Sequence, residues 1–189
     1  MKIQKHRSWK NIIPTHREKK DFGLYSKRIL GTFPNTNDNI IKEWFFQQCE
    51  IPRVASNYCW IDLSKIVCSE RYITVDEVLN IYIPESGIAR FNSLKDLKEL
   101  DITLRKKDKK SWEENGSWTS PPVLLLIESI GNAPEYMDVS LDSKYQLIEG
   151  FSRLGWFHAF YNNINKNGTL LKKKHLVLVV GIQKPYAIA

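Results

Sequence analysis

The chain is poor in the residues from which disulfide frameworks and zinc sites are built. Its 189 residues include three cysteines and four histidines. None of them stands in a Cys-x-x-Cys or paired histidine spacing: Cys49, Cys59, Cys68, His6, His16, His158 and His175. An odd number of unpaired cysteines is typical of free thiols in a reducing compartment, so we expect a cytoplasmic protein. Structural zinc needs four closely spaced ligands, so these residues predict no metal site.

Long apolar runs are also lacking. A helix that spans a bilayer needs about 20 consecutive apolar residues, and no stretch of the sequence approaches that length. The first residues are basic, but no apolar run follows them, so they do not resemble a secretory signal peptide. We therefore predict no membrane partner. The apolar fraction of 42%, with six tryptophans and eight phenylalanines, suits one core of ordinary size.

The excess positive charge is confined to one end of the chain. Residues 1–28 carry nine basic and two acidic residues, which accounts for the whole net charge of +7, and the rest of the chain carries 19 of each sign. We predict a basic N-terminal arm over residues 1–30 and a single globular domain over residues 31–189. Such an arm suits the phosphate backbone of a nucleic acid or an acidic protein; a solvated tail is the alternative. The basic residues predicted to contact nucleic acid are Lys2, Lys5, Arg7, Lys10, Arg17, Lys19 and Lys20. The aromatic residues interleaved with them, which offer rings for stacking, are Trp9, Phe22 and Tyr25.

The rest of the chain is organised around one stretch, residues 145–161. Residues 145–148 are β-prone. After Gly150 the large apolar residues recur at intervals of three or four, which is the period of a helix. We therefore predict a strand, a tight turn at Gly150 and a helix that begins near Phe151. Glycine permits the backbone geometry that such a turn often needs.

The predicted turn brings together groups that suit an anion. The N-terminus of a helix presents free backbone N–H groups and a partial positive charge. Ser152 adds a hydroxyl, and Arg153 adds a planar fork that matches two oxygens of a phosphate or carboxylate. Glu149 stands just before the turn, where a carboxylate can accept a proton or help to hold a metal ion. The alternative is a purely local ion pair between Glu149 and Arg153.

Residues 148–154, Ile-Glu-Gly-Phe-Ser-Arg-Leu, resemble the Gly-x-x-Arg signature of the ParB/sulfiredoxin-like superfamily. The resemblance extends over about residues 57–183, because further segments resemble the opening strand, the following helix, and the strands before and after the signature: 60–66, 74–79, 121–127 and 175–180. It implies a ParB-like fold and a turn that holds nucleotide phosphate through Gly150, Ser152 and Arg153. The sequence does not name the cofactor, and a nucleotide with Mg²⁺ is the candidate.

Two departures from the superfamily pattern bear on the chemistry. Sulfiredoxins carry a catalytic cysteine directly after the signature glycine, where this chain has Phe151, so that thiol chemistry is excluded at the turn. ParB proteins usually carry a charged residue at that position and an additional basic residue before the arginine, where this chain has Phe151 and Ser152. The phenylalanine argues against efficient catalysis.

Local patterns predict the remaining elements of an α/β or α+β fold, a small mixed sheet with packed helices. Continuous apolar runs predict buried strands at 121–127 and 175–180. Thr74 and Glu77 have the spacing of a helix-capping box. We predict a β-prone segment at 58–67, a chain break at 84–87 and a short amphipathic helix at 93–100. The basic run 105–110 is predicted to be a charged hairpin tip, and the alternative is that it contacts phosphate. The acids of the polar connection 129–144 can serve a metal–nucleotide pair if it lies over the turn: Glu135, Asp138 and Asp142.

Three functions are compatible with these observations. The first is a nucleotide- or nucleic-acid-binding protein of ParB-like fold that holds phosphate at the Gly150 turn. The second is a non-catalytic interaction module, such as an immunity, antitoxin or bacterial defence-associated partner, on a degenerate ParB-like scaffold. The third is a metal-dependent phosphotransferase or nuclease with Glu149 as the catalytic base. The sequence leaves open whether any catalysis occurs, and the first function is the one we expect.

Overall fold

A four-stranded mixed sheet forms the centre of the fold. The computed structural model describes residues 5–47, 57–96, 106–131, 134, 137–163 and 171–183. The strands are β1 (Ile66–Thr74), β2 (Val123–Leu126), β3 (Tyr145–Glu149) and β4 (Lys174–Ile182), in the order β1-β4-β2-β3. The central pair, β2 and β4, is parallel, and the two outer strands are antiparallel to their neighbours. The predicted mixed α/β fold is thereby confirmed, and both apolar runs expected to form buried strands lie at its centre.

Helices cover both faces of the sheet. The helical segments are α1 (Phe22–Thr32), α2 (Asp38–Ile40), which continues as a π-helix (Ile41–Phe46), α3 (Val75–Leu79), α4 (Glu85–Lys95), α5 (Lys106–Asn115) and α6 (Phe151–Asn162). Short 3-10 helices occupy Arg7–Ile12, Leu63–Lys65 and Ile127–Ser129. Helix α3 begins at the predicted capping box, because Thr74 Oγ1 accepts from the N–H of Glu77 at 3.2 Å and Glu77 Oε2 accepts from the N–H of Thr74 at 3.0 Å. Among the described residues, no helix is long and apolar enough to cross a membrane.

Alternate residues of the strands face two separate cores. In β2, Val123 and Leu125 belong to a first core, and Leu124 and Leu126 belong to a second core on the other face. The first core contains residues from α1 and the π-helix, and the second contains residues from α3, α4, α5 and α6. This period-two alternation is what a strand covered on both faces requires. The sheet therefore separates two helical layers.

The described part of the basic N-terminal segment is built into the first core. Trp9, Ile12 and Tyr25 are buried. The Trp9 indole N–H donates to the Ile61 carbonyl at 2.9 Å, and the Tyr25 hydroxyl donates to the Ile12 carbonyl at 2.6 Å. The buried side chains of Trp9, Ile12 and Tyr25 therefore attach the described part of the predicted arm to the first core. The rings of Trp9 and Tyr25 fill the core and are not free to stack on bases.

Several local predictions are wrong, each for a physical reason. Residues 84–87 do not break the chain: Pro84 is the N-cap residue of α4, a position at which its missing N–H costs no hydrogen bond. The described part of the basic run 105–110 is not a hairpin tip but the first turn of α5, because Asp108 and Trp112, one turn apart, are buried on one face. In the β-prone segment 58–67, strand β1 begins only at residue 66.

Two cysteines are free thiols, as predicted: Cys59 is buried and Cys68 is half-buried. Burial raises the pKa of the Cys68 thiol to about 12, so this side chain is protonated near neutral pH. Cys49 lies outside the described residues. Both described cysteines therefore act as small apolar side chains of the first layer.

Candidate functional site

Strand β3, the turn and helix α6 follow one another as the sequence predicts. Strand β3 ends at Glu149, Gly150 has a φ of +108°, and α6 begins at Phe151. A Cβ atom on Gly150 would lie 2.8 Å from Pro122 Cβ and 3.1 Å from Arg153 Nε. Glycine is thus required twice, for its positive φ and for the space around it.

The first turn of α6 has backbone N–H groups without an acceptor in the helix. The Leu154 N–H donates to the Gly150 carbonyl at 2.9 Å and starts the helical hydrogen bonds. The N–H groups of residues 151–153 precede this bond and have no intrahelical acceptor. No described side chain caps the turn. The helix therefore presents a partial positive charge at this point.

Arg153 is already engaged within the protein. Its Nη1 atom lies 2.7 Å from Glu43 Oε2, and it also lies 3.2 Å and 3.1 Å from the carbonyl oxygens of Ser120 and Pro121. Its Nη2 atom lies 3.5 Å from Glu149 Oε1. The side chains of Arg153 and Glu43 are only 13% and 9% exposed. The guanidinium thus joins α6 to the π-helix of the opposite layer, which goes beyond the local ion pair that the sequence offered as an alternative.

Glu149 lies in a partly desolvated position beside this arginine. Burial raises the pKa of the Glu149 carboxyl, and the positive charge of Arg153 offsets part of that effect. A raised pKa of this origin is common among acid–base groups of active sites, but it also occurs in structural ion pairs. Because the Glu149 carboxylate faces Arg153, it belongs to the same ion-pair cluster as Glu43.

A cleft of about 570 Å³ opens at the turn, and cations surround it. Lys42, Arg90 and Lys107 line it together with Ser152 and Arg153. Lys42 and Lys107 are exposed and make no ion pair among the described residues, and Arg90 Nε donates to Ser152 Oγ at 2.8 Å. The lining thus carries four cationic side chains against the carboxylates of two residues, Glu43 and Glu149. The field in the cleft favours an anion.

Trp156 lies at the cleft and has a buried indole N–H. It lines the cleft one turn beyond Ser152 and is 6% exposed. Its indole Nε1 is buried and has no hydrogen-bond acceptor among the described residues. Buried indole N–H groups usually have a hydrogen-bond partner, and Trp156 Nε1 is an exception among the described residues.

Phe151 packs between helices. A Cβ atom on Gly87 would lie 1.8 Å from Cε1 of the Phe151 ring, so α4 leaves room for that ring only because residue 87 is glycine. Gly155 allows a second close approach, since a Cβ atom there would lie 2.8 Å from Leu94 Cβ. Phe151 and Gly155 therefore allow α6 to pack closely against α4.

Where the structure describes them, the carboxylates and histidines do not form a metal site. No cluster of three or more His, Cys, Asp or Glu side chains suitable for a metal exists among the described residues. Asp138 accepts from the Tyr82 hydroxyl and from the Glu85 N–H, where it caps α4. His158 and His175 are kept neutral near pH 7, because burial lowers the pKa of each to about 4. The two carboxylates that line the cleft, Glu43 and Glu149, both face Arg153.

The other predicted site residues lie elsewhere. Six of the seven basic residues expected to contact nucleic acid are exposed, but none of these six lines the cleft: Lys5, Arg7, Lys10, Arg17, Lys19 and Lys20. Lys2 lies outside the described residues. Lys42 and Arg90 were not predicted to be site residues, because no sequence pattern distinguishes a single site cation on a helix from any other exposed lysine or arginine. Lys107 belongs to the basic run for which phosphate contact was one interpretation.

Comparisons of the chain with protein-family models, with curated proteins and with solved structures found no match. The ParB-like assignment therefore stays a prediction, which depends on residues 148–154 and on the order of elements around them.

Proposed function

We propose that the protein binds a phosphate-bearing ligand, a nucleotide or a nucleic acid, in the cleft at the Gly150 turn, on a fold of the ParB/sulfiredoxin-like kind. One observation carries this proposal: an uncapped helix N-terminus and three cations from three other helical segments converge on one cleft. Phosphate is the ligand that suits backbone N–H groups and cations together.

The residues have different roles in this proposal. The N–H groups of Phe151 and Ser152 and the Ser152 hydroxyl would contact phosphate oxygens. Arg90, Lys42 and Lys107 would neutralise the charge from the rim. Arg153 holds the turn against the π-helix, so it is a positioning residue and not a direct ligand as long as Glu43 occupies it.

A thermal-shift screen with ATP, CTP, GTP and their diphosphates, each with and without Mg²⁺, tests the proposal. A ligand at about 100 times its dissociation constant adds about 2.7 kcal/mol to stability. Arg90→Gln and Lys107→Ala should weaken the binding about tenfold each, because a charged hydrogen bond contributes about 1.5 kcal/mol or more. Lys65→Ala is the matched control, since Lys65 is exposed and does not line the cleft. Equal affinities in all of these variants would exclude the cleft as the binding site.

One observation favours the second function, a protein-interaction module. Arg153 is bound by Glu43, Glu149 and two carbonyl groups, and Phe151 is used in packing, so both signature positions can be purely structural. In that case no nucleotide shifts the melting temperature, and the exposed basic residues bind an acidic protein in a stable stoichiometric complex.

The third function, an enzyme, depends on Glu149 and its raised pKa. A general base must reach the reacting group, and Glu149 would have to leave Arg153 to do so. Turnover of a nucleotide or of DNA that Glu149→Gln abolishes would support this function.

A further inference from the structure

A second hollow adjoins the cleft on the side of the first helical layer. It has a volume of about 500 Å³ and lies between α1 and the start of α2 and the π-helix. Its lining includes Phe22, Ser26, Lys27, Leu30, Asp38 and Lys42. Lys42 also lines the Gly150 cleft, so this side chain is common to the linings of both hollows.

The lining of the second hollow combines charge with apolar surface. Lys27 and Lys42 are exposed and make no ion pair among the described residues. Phe22 and Leu30 are half-buried and leave apolar surface open, and the Phe22 ring is held edge-on by Phe46 at a centroid distance of 5.4 Å. The carboxylate in the lining belongs to Asp38, which accepts a hydrogen bond from the Ser26 hydroxyl.

We propose that the ligand of the Gly150 cleft is a single-stranded nucleic acid, whose next nucleotides run past Lys42 into the second hollow. A basic groove that follows the backbone, with aromatic surface for the bases, is the arrangement by which proteins bind single strands. Lys42 is placed to contact the phosphate between the two hollows, Lys27 a further phosphate, and Phe22 a base. This inference rests on the proposed function, because it extends the same phosphate site.

The probes are fluorescein-labelled 12-mers of thymidylate and of uridylate, measured by fluorescence anisotropy, with thymidine and uridine monophosphates as competitors. The strand should bind at least tenfold more tightly than the monophosphate. Lys27→Ala should weaken the 12-mer and lower the dependence of log affinity on log salt by about one. It should leave monophosphate binding unchanged, because Lys27 lies outside the Gly150 cleft. Phe22→Ala should weaken the 12-mer about fivefold or more through lost stacking.

Two controls keep the test specific. Lys42→Ala should weaken both the 12-mer and the monophosphate, and Lys65→Ala should weaken neither, since Lys65 lines neither hollow. The melting temperature of each variant shows whether the fold is intact. A 12-base-pair duplex should bind less tightly than the single strand, and a 12-mer of deoxyuridylate, which differs from the uridylate 12-mer only in the 2′-hydroxyl, identifies the sugar that is preferred.

The outcomes separate this inference from the function on which it rests. If monophosphates bind in an Arg90-dependent way and the 12-mers bind no more tightly, the second hollow is not part of the site, and the proposed function stands. Duplex binding equal to that of the single strand, or 12-mer binding insensitive to Lys27 and Phe22, also overturns the inference. If neither monophosphates nor 12-mers bind, both proposals fail, and an acidic protein becomes the expected partner.

Discussion

Replacement of Arg153 by alanine should strongly destabilise the protein. Glu43 and Glu149 would then face each other without the guanidinium that lies 2.7 Å and 3.5 Å from their carboxylates. The carbonyls of Ser120 and Pro121 would lose a donor as well. Removing one partner of a buried ion pair costs about 3–5 kcal/mol, and the total stability of a domain is about 5–15 kcal/mol. Arg153→Ala should therefore remove a large part of the free energy of unfolding.

Urea denaturation followed by tryptophan fluorescence measures this loss of unfolding free energy. Thermal denaturation measures it as well: at about 2–4 °C per kcal/mol for a chain of this size, the melting temperature should fall by about 6–20 °C. Arg90→Ala is the control, because Arg90 is exposed and should change stability by less than about 0.5 kcal/mol. The double variant Glu43→Gln, Arg153→Ala should be less destabilised than Arg153→Ala alone, since it leaves one buried charge fewer.

The pH dependence gives an independent check of the same reasoning. Burial raises the pKa of Glu149 in the folded protein, and Arg153 opposes this rise. Without Arg153 the folded state should bind a proton at pH values where the unfolded chain does not, so the stability of Arg153→Ala should rise as the pH falls towards the ordinary glutamate pKa. An unfolding free energy within 1 kcal/mol of the wild type at pH 7 would refute the account.

Two further predictions concern the backbone and the first layer. Gly150→Ala should lower the free energy of unfolding by about 2 kcal/mol or more, because alanine is strained at a φ of +108° and its Cβ would lie 2.8 Å from Pro122 Cβ. Gly31→Ala should stabilise α1 by up to about 1 kcal/mol in the same melting assay, because no atom lies within 4 Å of the added Cβ. Hydrogen bonding to Arg28 lowers the pKa of Glu18 to about 2. Its contribution to stability is therefore present above the ordinary glutamate pKa and lost as the pH falls towards 2. Glu18→Gln should flatten the acid limb of a stability–pH curve, and an unchanged limb would contradict this assignment.

Local sequence patterns predicted the parts of the fold that depend on neighbouring residues. The strand, turn and helix around Gly150 and the capping box at Thr74 are of this kind, because each needs only residues within a few positions. The apolar runs of β2 and β4 also sufficed, since a strand covered on both faces has no polar side. From these elements alone, the sequence predicted that the turn lies at Gly150 and that Arg153 lies in the first turn of the following helix.

Contacts between distant residues were beyond the sequence. Glu43 lies 110 residues from Arg153, and no local pattern indicates that its side chain closes the ion pair. The charge composition of the basic N-terminal segment also gave no indication that Trp9 and Tyr25 are buried in the first core. The high proportion of basic residues in the run 105–110 likewise gave no indication of α5, in which Asp108 and Trp112 are buried on one face.

The separation of 110 residues between Glu43 and Arg153 has a consequence for synthesis on the ribosome. Trp9, Tyr25 and Trp44 share their core with Leu178 and Val180 of β4, so the first layer has no complete partner until the last strand has left the exit tunnel. Until β4 has been synthesised, these aromatic side chains lack the strand residues with which they share the first core. Folding is thus expected to be a late, concerted event, and chaperone contact during translation should be greatest before residue 180 emerges.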